Sequence, residues 1–445
     1  LADKDKVSSI KRTNILENII PVKNFNDLAR SKLIIESIIE DLTSKQNIFC
    51  KLESIISEDA ILATNTSSID LNLISMKMKR PEILVGIHFF NPAPVMKLVE
   101  IVSSRKTDPS VAKFVSTLSE KWGKIPVNVR SSPGFIVNRA ARPFYCEALL
   151  ILKENVTDYE TCDAIIRDCG GFKMGPFELM DLIGLDVNYD VTHQIWQKFK
   201  HHPRFAPSNL QKDLVERGFL GRKTGRGFYS YEANYEKTSI KNAPPHKAPS
   251  FISIEGPDSL PLSLLNLINC SSLQKEISSG QGYIRLPSDT IVGLSNGKSS
   301  VERSSEIGKK FISLDLCLDF EKSKRVALAP DIDCPKKSIQ EVIGFFQSFD
   351  KQVSLIQDVA GMVLTRIVAM LINEASMIVE EKIADVEGVN KAMIMGLNYP
   401  LGPLEWAEKW GCLSVSKTLD NLFNEYGIRY KKSPILERYA EKINN

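Results

Sequence analysis

Five histidines, at positions 88, 193, 201, 202 and 246, are the side chains of this 445-residue sequence best suited to exchange protons near neutral pH. His88 has the most suggestive setting. It closes the apolar run EILVGIHFF, the following NPAP makes a turn, and the chain returns as KLVEIV, which carries Glu100. A strand, a tight loop and a return strand can bring residues twelve apart side by side. The carboxylate would then accept the proton of one ring nitrogen and fix the tautomer, leaving the other nitrogen to take a proton from a substrate. On residue type alone, a satisfied structural histidine and a solvated strand glutamate fit the same text.

Asn65, Thr66, Ser67 and Ser68 directly follow the apolar run AILAT. This places an amide and hydroxyls at the carboxyl end of a parallel strand, where open sheets bind ligands. NTSS equally serves as a turn cap. Asn138, in GFIVNRAAR, opens a helical stretch; it reads as a cap, or as a group facing whatever lies between domains. Other signals fail on inspection. GRKTGRG lacks the GK[ST] and preceding strand of a phosphate loop and reads as a surface turn, and no GxGxxG occurs. His201 and His202 lie in a polar, Pro-flanked stretch, expected to be solvated, and eight scattered cysteines form no cluster of zinc spacing.

The elements that must hold these residues follow from periodicity. Between Leu33 and Val129, short apolar runs alternate with helical stretches, the pattern of an α/β sheet. After SSPG at 131–134 the spacing becomes helical, and NAPPHKAPS at 242–250 reads as a linker. Sliding the chain by 227 residues lays Pro133–Gly184 on Ala360–Gly411 without a gap, with 12 identities in 52 pairs. Random pairing would give roughly three. In the second copy His88 becomes Asp315, Glu100 becomes Ala327 and Asn138 becomes Thr365, while Gly, Pro and helix-face positions persist. A scaffold that keeps its packing residues and drops these three predicts an active copy paired with a structural one.

Composition narrows the class. With 43% hydrophobic and 25% charged residues the chain is globular, and 57 basic against 54 acidic side chains leave +3, too little for a phosphate-backbone partner. No eighteen-residue apolar run or signal peptide occurs, so a soluble protein of the cytoplasm, with reduced cysteines, is expected. Neither nucleic acid nor membrane is expected as a partner.

The ordered motifs NTSS, HFFNPAPVMKLVEIV, SSPGFIVNR, MGPFELMDLIGLD and GFLGRKTGRGFY resemble the bacterial L-3-hydroxyacyl-CoA dehydrogenases over nearly all of residues 15–232. The later repeat resembles the longer subgroup, often described as 3-hydroxybutyryl-CoA or 3-hydroxyadipyl-CoA dehydrogenases. The resemblance implies an α/β plus all-α fold: a partial Rossmann-like sheet (1–130), a helical domain (131–235), a reduced Rossmann-like unit (236–355) and a second helical domain (356–445). It implies an acyl-CoA substrate, NAD as cofactor, and hydride transfer with His88 as base and Glu100 as its orienting partner. Ser67 and Asn138 would hold the substrate oxygen, and Glu40, Lys45, Asn65, Ser67, His88 and Asn91 would meet the cofactor. By residue type alone, Glu40 and Lys45 are ordinary surface charge.

The chain departs from the family at its start, lacking the strand and GxGxMG loop that cradle the pyrophosphate and the acidic residue that holds the ribose. A missing upstream segment is the expectation, and with it a rival reading: a catalytically silent CoA-thioester-binding or assembly protein. Because single-copy relatives pair through their helical domains, helices from 134–184 are expected to pack on those from 361–411 as an intrachain pseudo-dimer, with a homo-oligomer left open.

Overall fold

A computed structural model describes residues 9–232 and 240–438. They fall into two compact units: the chain up to Phe89 with Val99–Ser131, and Phe90–Leu98 with Ser132 onward.

In the first unit, α1 (Ser9–Glu17) precedes β1 (Leu33–Glu36), α2 (Leu42–Glu53), β2 (Ile61–Thr64), α3 (Leu71–Ser75), β3 (Leu84–Phe89), β4 (Leu98–Ser103), α4 (Pro109–Lys121) and β5 (Ile125–Arg130). The sheet order is β1-β2-β3-β4-β5. The first three strands run parallel and β4 antiparallel to β3. Strand ILAT is buried throughout, as a central parallel strand covered on both faces must be. Leu62 and Leu84 pack with Phe49 and Leu52 of α2, while Ile61, Ala63, Val85 and Ile87 pack with Val115 of α4. Asp41, Asp70 and Asp108 start α2, α3 and α4 by accepting the backbone N–H of Ser44, Asn72 and Ser110 at 2.7, 3.0 and 2.7 Å. Each satisfies a donor that the helix itself cannot.

The second unit carries α5 (Val137–Ala140), α6 (Arg142–Lys153), α7 (Tyr159–Asp168), α8 (Pro176–Ile183), α9 (Leu185–Lys198) and α10 (Asn209–Glu216). A second sheet follows, of β6 (Phe251–Glu255), β7 (Gln274–Ser278), β8 (Tyr283–Arg285), β9 (Ile291–Leu294), β10 (Phe311–Leu314), β11 (Arg325–Pro330) and β12 (Gln352–Leu355), with α11 (Leu262–Asn269), α12 (Ser300–Ile307) and α13 (Lys336–Gln347) between strands. Helices α14 (Leu364–Glu380), α15 (Val386–Leu397), α16 (Pro403–Trp410) and α17 (Cys412–Tyr426) come last. The strand order is β12-β11-β10-β9-β8-β6-β7. The reduced Rossmann-like unit is present, and β6, β7 and β8 extend one edge of its sheet. Their signal in the text is faint because β7, QKEIS, is mostly solvent-exposed and polar.

The repeat survives element by element. Strands β10, β11 and β12 and helices α13, α14, α15, α16 and α17 each begin 227 residues after β3, β4, β5, α4, α5, α7, α8 and α9. Where the first copy breaks between α5 and α6, Pro143 lies near the start of α6; the second copy has Met370 there and α14 runs unbroken. Gly175 and Gly402, at the starts of α8 and α16, admit no side chain: a Cβ would fall 2.2 Å from Asp163 Cγ and 2.4 Å from Asn390 Cγ.

Three repeated residues cross between the helical copies. Arg139 on α5 pairs with Glu374 (2.5 Å) and Glu381 (2.6 Å), and Arg366 on α14 pairs with Glu147 (3.0 Å) and Glu154 (2.7 Å). The two halves thus pack as a pseudo-twofold pair within the second unit, their arginines buried and charge-paired. Burial works against ionisation of Glu147, but Arg429, Arg366 and the Tyr430 hydroxyl outweigh it and hold its pKa below the usual range. No helix of the described residues is long and apolar enough to cross a membrane.

Candidate functional site

The antiparallel pairing of β3 with β4 sets His88 directly opposite Glu100, in the register His88↔Glu100. His88 Nδ1 donates to Glu100 Oε2 at 2.6 Å. The glutamate is 0% exposed and the histidine 7%, so the carboxylate is not the solvated strand residue that its type alone suggests. A buried carboxylate on Nδ1 fixes the tautomer with the proton on that nitrogen.

Around the carboxyl ends of β1 and β2, a second polar cluster forms. Asn65 accepts from Phe89 N at 3.0 Å and donates to Ser37 Oγ at 3.2 Å, tying the ends of β1, β2 and β3 together. Thr66 is the turn cap that NTSS allowed: its hydroxyl oxygen accepts from Ser68 N and Ile69 N and its proton goes to Glu40 Oε1. The same Glu40 oxygen receives Ser67 N at 3.0 Å and the backbone and hydroxyl of Ser68 at 3.1 Å each. Burial opposes the charge on Glu40, but the Thr66 hydroxyl, Lys45 and the serine donors prevail and keep its pKa below the ordinary value. Ser67 is half-buried, and its hydroxyl makes no hydrogen bond among the described residues.

Lys45 is not surface charge, being 1% exposed. Its ammonium donates to Glu36 Oε1 at 2.7 Å and lies 3.3 Å from Glu40 Oε2. Glu36 was not anticipated. It sits at the end of β1, buried, and also receives the Thr64 hydroxyl at 2.7 Å and Ile38 N at 2.6 Å. A lone carboxylate inside the apolar run KLIIESII was the available signal, since such a group is buried only when paired.

Asn91 and Asn138 belong to the second unit. Asn91 is exposed, before Pro92. Asn138 lies inside α5 rather than at its cap, which is Ile136. Its carbonyl accepts from Arg142 Nε at 2.8 Å, and its side-chain amide makes no hydrogen bond among the described residues. The GRKTGRG turn closes on buried Asp181, which accepts Phe228 N and Tyr229 N at 2.9 Å each. His201 is exposed and His202 half-buried. Among the described residues no group of His, Cys, Asp or Glu has metal-site geometry, and all eight cysteines are free thiols.

The corresponding position of the second copy is chemically different. Asp315 follows β10 and donates its backbone N–H to Ala327 O at 3.0 Å, so the cross-strand register is kept. Its carboxylate accepts Val363 N, Leu364 N, Thr365 N and the Thr365 hydroxyl, at 3.1, 2.8, 2.9 and 2.7 Å, and thereby anchors the start of α14. No imidazole faces this carboxylate, whose oxygens are taken up by the donors of the helix start.

The chain matches known protein families along most of its length. Residues 1–132 match the family described as 3-hydroxyacyl-CoA dehydrogenase, NAD binding domain. The C-terminal domain of that family matches twice, at 134–231 and 361–444, and residues 292–359 match the 3-hydroxybutyryl-CoA dehydrogenase reduced Rossmann-fold domain. The chain is 36% identical to the 3-hydroxyadipyl-CoA dehydrogenase of Escherichia coli K12, over 96% of this chain and 84% of that one. It is 38% identical to the 3-hydroxybutyryl-CoA dehydrogenase of Clostridioides difficile, over 52% of this chain and 82% of that one. The crystal structure of 3-hydroxybutyryl-CoA dehydrogenase from Escherichia coli K12 superimposes with a TM-score of 0.89 at 34% identity, covering 99% of this chain and 88% of that one. With both helical copies and the sheet between them accounted for, the chain belongs to the 3-hydroxyacyl-CoA dehydrogenase family of NAD-linked oxidoreductases.

Proposed function

We propose that this enzyme interconverts an L-3-hydroxyacyl-CoA and its 3-oxoacyl-CoA, with His88 and Glu100 acting as one proton-transfer unit. The buried 2.6 Å contact between His88 Nδ1 and Glu100 Oε2 carries the proposal. In the oxidation, His88 Nε2 takes the C3 hydroxyl proton, the C3–O bond becomes a carbonyl, and the C3 hydrogen departs as hydride. Glu100 stabilises the imidazolium that results, and in the reduction the same proton returns to the oxygen. Ser67 is assigned to the substrate oxygen, and Asn138 is the candidate of the second unit for the same role.

The cofactor that accepts a hydride from C3 is NAD. The first unit fits its nicotinamide end: the partly exposed Glu40 carboxylate and the unbonded Ser67 hydroxyl stand at the carboxyl ends of parallel strands. Among its described residues no glycine-rich turn follows a strand, so the pyrophosphate is given no holder here. Lys45, closed in by Glu36 and Glu40, and Asn65, bonded to Ser37 and Phe89, would position that edge.

The test is NADH oxidation with acetoacetyl-CoA. His88→Ala should lower turnover by roughly two to four orders of magnitude, and His88→Ala combined with Glu100→Gln should fall no further, since the two act together. Unchanged turnover in His88→Ala would refute the assignment.

A further inference from the structure

The second unit contains a cavity of about 1280 Å³ that no proton-transfer chemistry explains. One wall is formed by the segments that follow the parallel strands β9 and β10, and the other by α16 and α17. The carboxyl ends of parallel strands in an open α/β sheet are the customary seat of a ligand.

Its charge is lopsided. Arg303, Lys409 and Lys417 line it, and none forms a salt bridge among the described residues. Three of its four carboxylates are already engaged: Asp319 with Lys322 (3.2 Å), Glu321 with the Asn266 amide (3.3 Å) and Asp420 with Lys432 (2.7 Å). Arg303 is held in place, with Nη1 donating to Leu294 O at 2.6 Å and its guanidinium 3.9 Å from the Phe311 ring centre. The Tyr283 hydroxyl and, at longer range, Glu306 favour its charge, but no salt bridge is made, so the guanidinium can still take an anion. Planar surface is present too, on Tyr283, Trp406 and Trp410. Trp406 is 3% exposed, and its indole N–H has no partner; the hydroxyl of buried Ser295, also in the lining, has none either. Unsatisfied buried groups of this kind are costly and concentrate where a structure serves something other than its own stability.

We propose that this cavity binds an adenine nucleotide, with its base stacked on the partly exposed Trp410 and its phosphates on Arg303, Lys409 and Lys417. Both reactants of the family, CoA thioesters and NAD, carry an adenosine diphosphate group, so either is a possible source. The cavity lining includes no residue of the first unit, which carries His88.

Titration of the full chain with ADP, read by calorimetry and tryptophan fluorescence, tests this. ADP should bind, and Trp410→Ala and the solvent-exposed Lys417→Glu should each weaken it at least about tenfold, the size of one lost stacking or phosphate contact. Turnover with acetoacetyl-CoA should be unchanged in both variants. His88→Ala should bind ADP normally, which separates failure of this site from failure of the catalytic assignment. Displacement of ADP by CoA but not NADH, or the reverse, would identify the source. Absence of ADP binding, or equal binding by the wild-type chain and both variants, would overturn the proposal.

Discussion

Two strand pairs, β3 with β4 and β10 with β11, share one geometry and differ in what stands at its end. In the first, His88 and Glu100 face each other across the ladder, buried and joined at 2.6 Å. In the second, Asp315 faces Ala327, and its carboxylate is occupied by four donors from the start of α14. The carboxylate has moved from the return strand to the outgoing one, and its partner has changed from an imidazole to backbone N–H groups. A catalytic pair needs a side chain that gains and loses a proton, whereas a helix anchor needs one that stays bonded. One strand geometry can thus hold either a buried imidazole–carboxylate pair or a carboxylate that anchors a helix, with the strands around it unaltered.

The largest effect expected from breaking this comparison is on stability at the crossing ion pairs. Arg139→Met strands Glu374 with Arg204 alone, and Arg366→Met leaves Glu147 with Arg429 and Tyr430. Each should cost about 3–5 kcal/mol in urea unfolding, the first more than the second, because removal of one partner leaves a buried charge short of compensation. Equal and small effects would show that the pseudo-twofold packing does not rely on these pairs.

A smaller effect is expected from Asp315→Ala, about 1–3 kcal/mol, since it uncaps α14 and orphans buried donors. Thr365→Val removes one of the four donors and should cost less. If Asp315→Ala proved neutral, the joint described here would be misread.

The smallest effect is one of pH. Burial, helped by the nearby Glu178 carboxylate, pushes Asp163 up to about 8, although Phe177 N, Glu178 N and the Tyr229 hydroxyl oppose the shift. The folded state therefore keeps a proton that the unfolded chain has already lost, and stability should decline as pH rises from about 4 toward 8. The second copy places Asn390 at the equivalent position, with Leu404 N donating to its Oδ1 at 3.0 Å. Asp163→Asn should flatten the pH dependence of the unfolding midpoint across that window; an unchanged slope would mean that the decline originates elsewhere.

Much of this was legible in the text. A twelve-residue interval from strand to turn to strand is enough to set His88 beside Glu100, and a gapless repeat carries helix starts and glycine contacts with it. What escaped notice depended on partners distant in sequence. Arg139/Arg366 and Glu147/Glu374 read as conserved within each copy, and nothing in a one-dimensional match says that each arginine reaches into the other copy. Lys45 reads by type as surface charge and Glu36 was not anticipated, because neither position carries a hint of the other nine residues away. The edge strand β7 escaped because its side chains face water and carry no alternation to read.

The central claim is that chemistry resides in the first copy and structure in the second. Turnover with acetoacetyl-CoA and NADH, measured alongside the unfolding midpoint for His88→Ala and Asp315→Ala, tests it most directly. The account predicts a crossed result: His88→Ala loses turnover by roughly two orders of magnitude or more with its fold intact, and Asp315→Ala loses stability while its folded fraction turns over normally. Full turnover in His88→Ala, or its loss in folded Asp315→Ala, would contradict the division of labour.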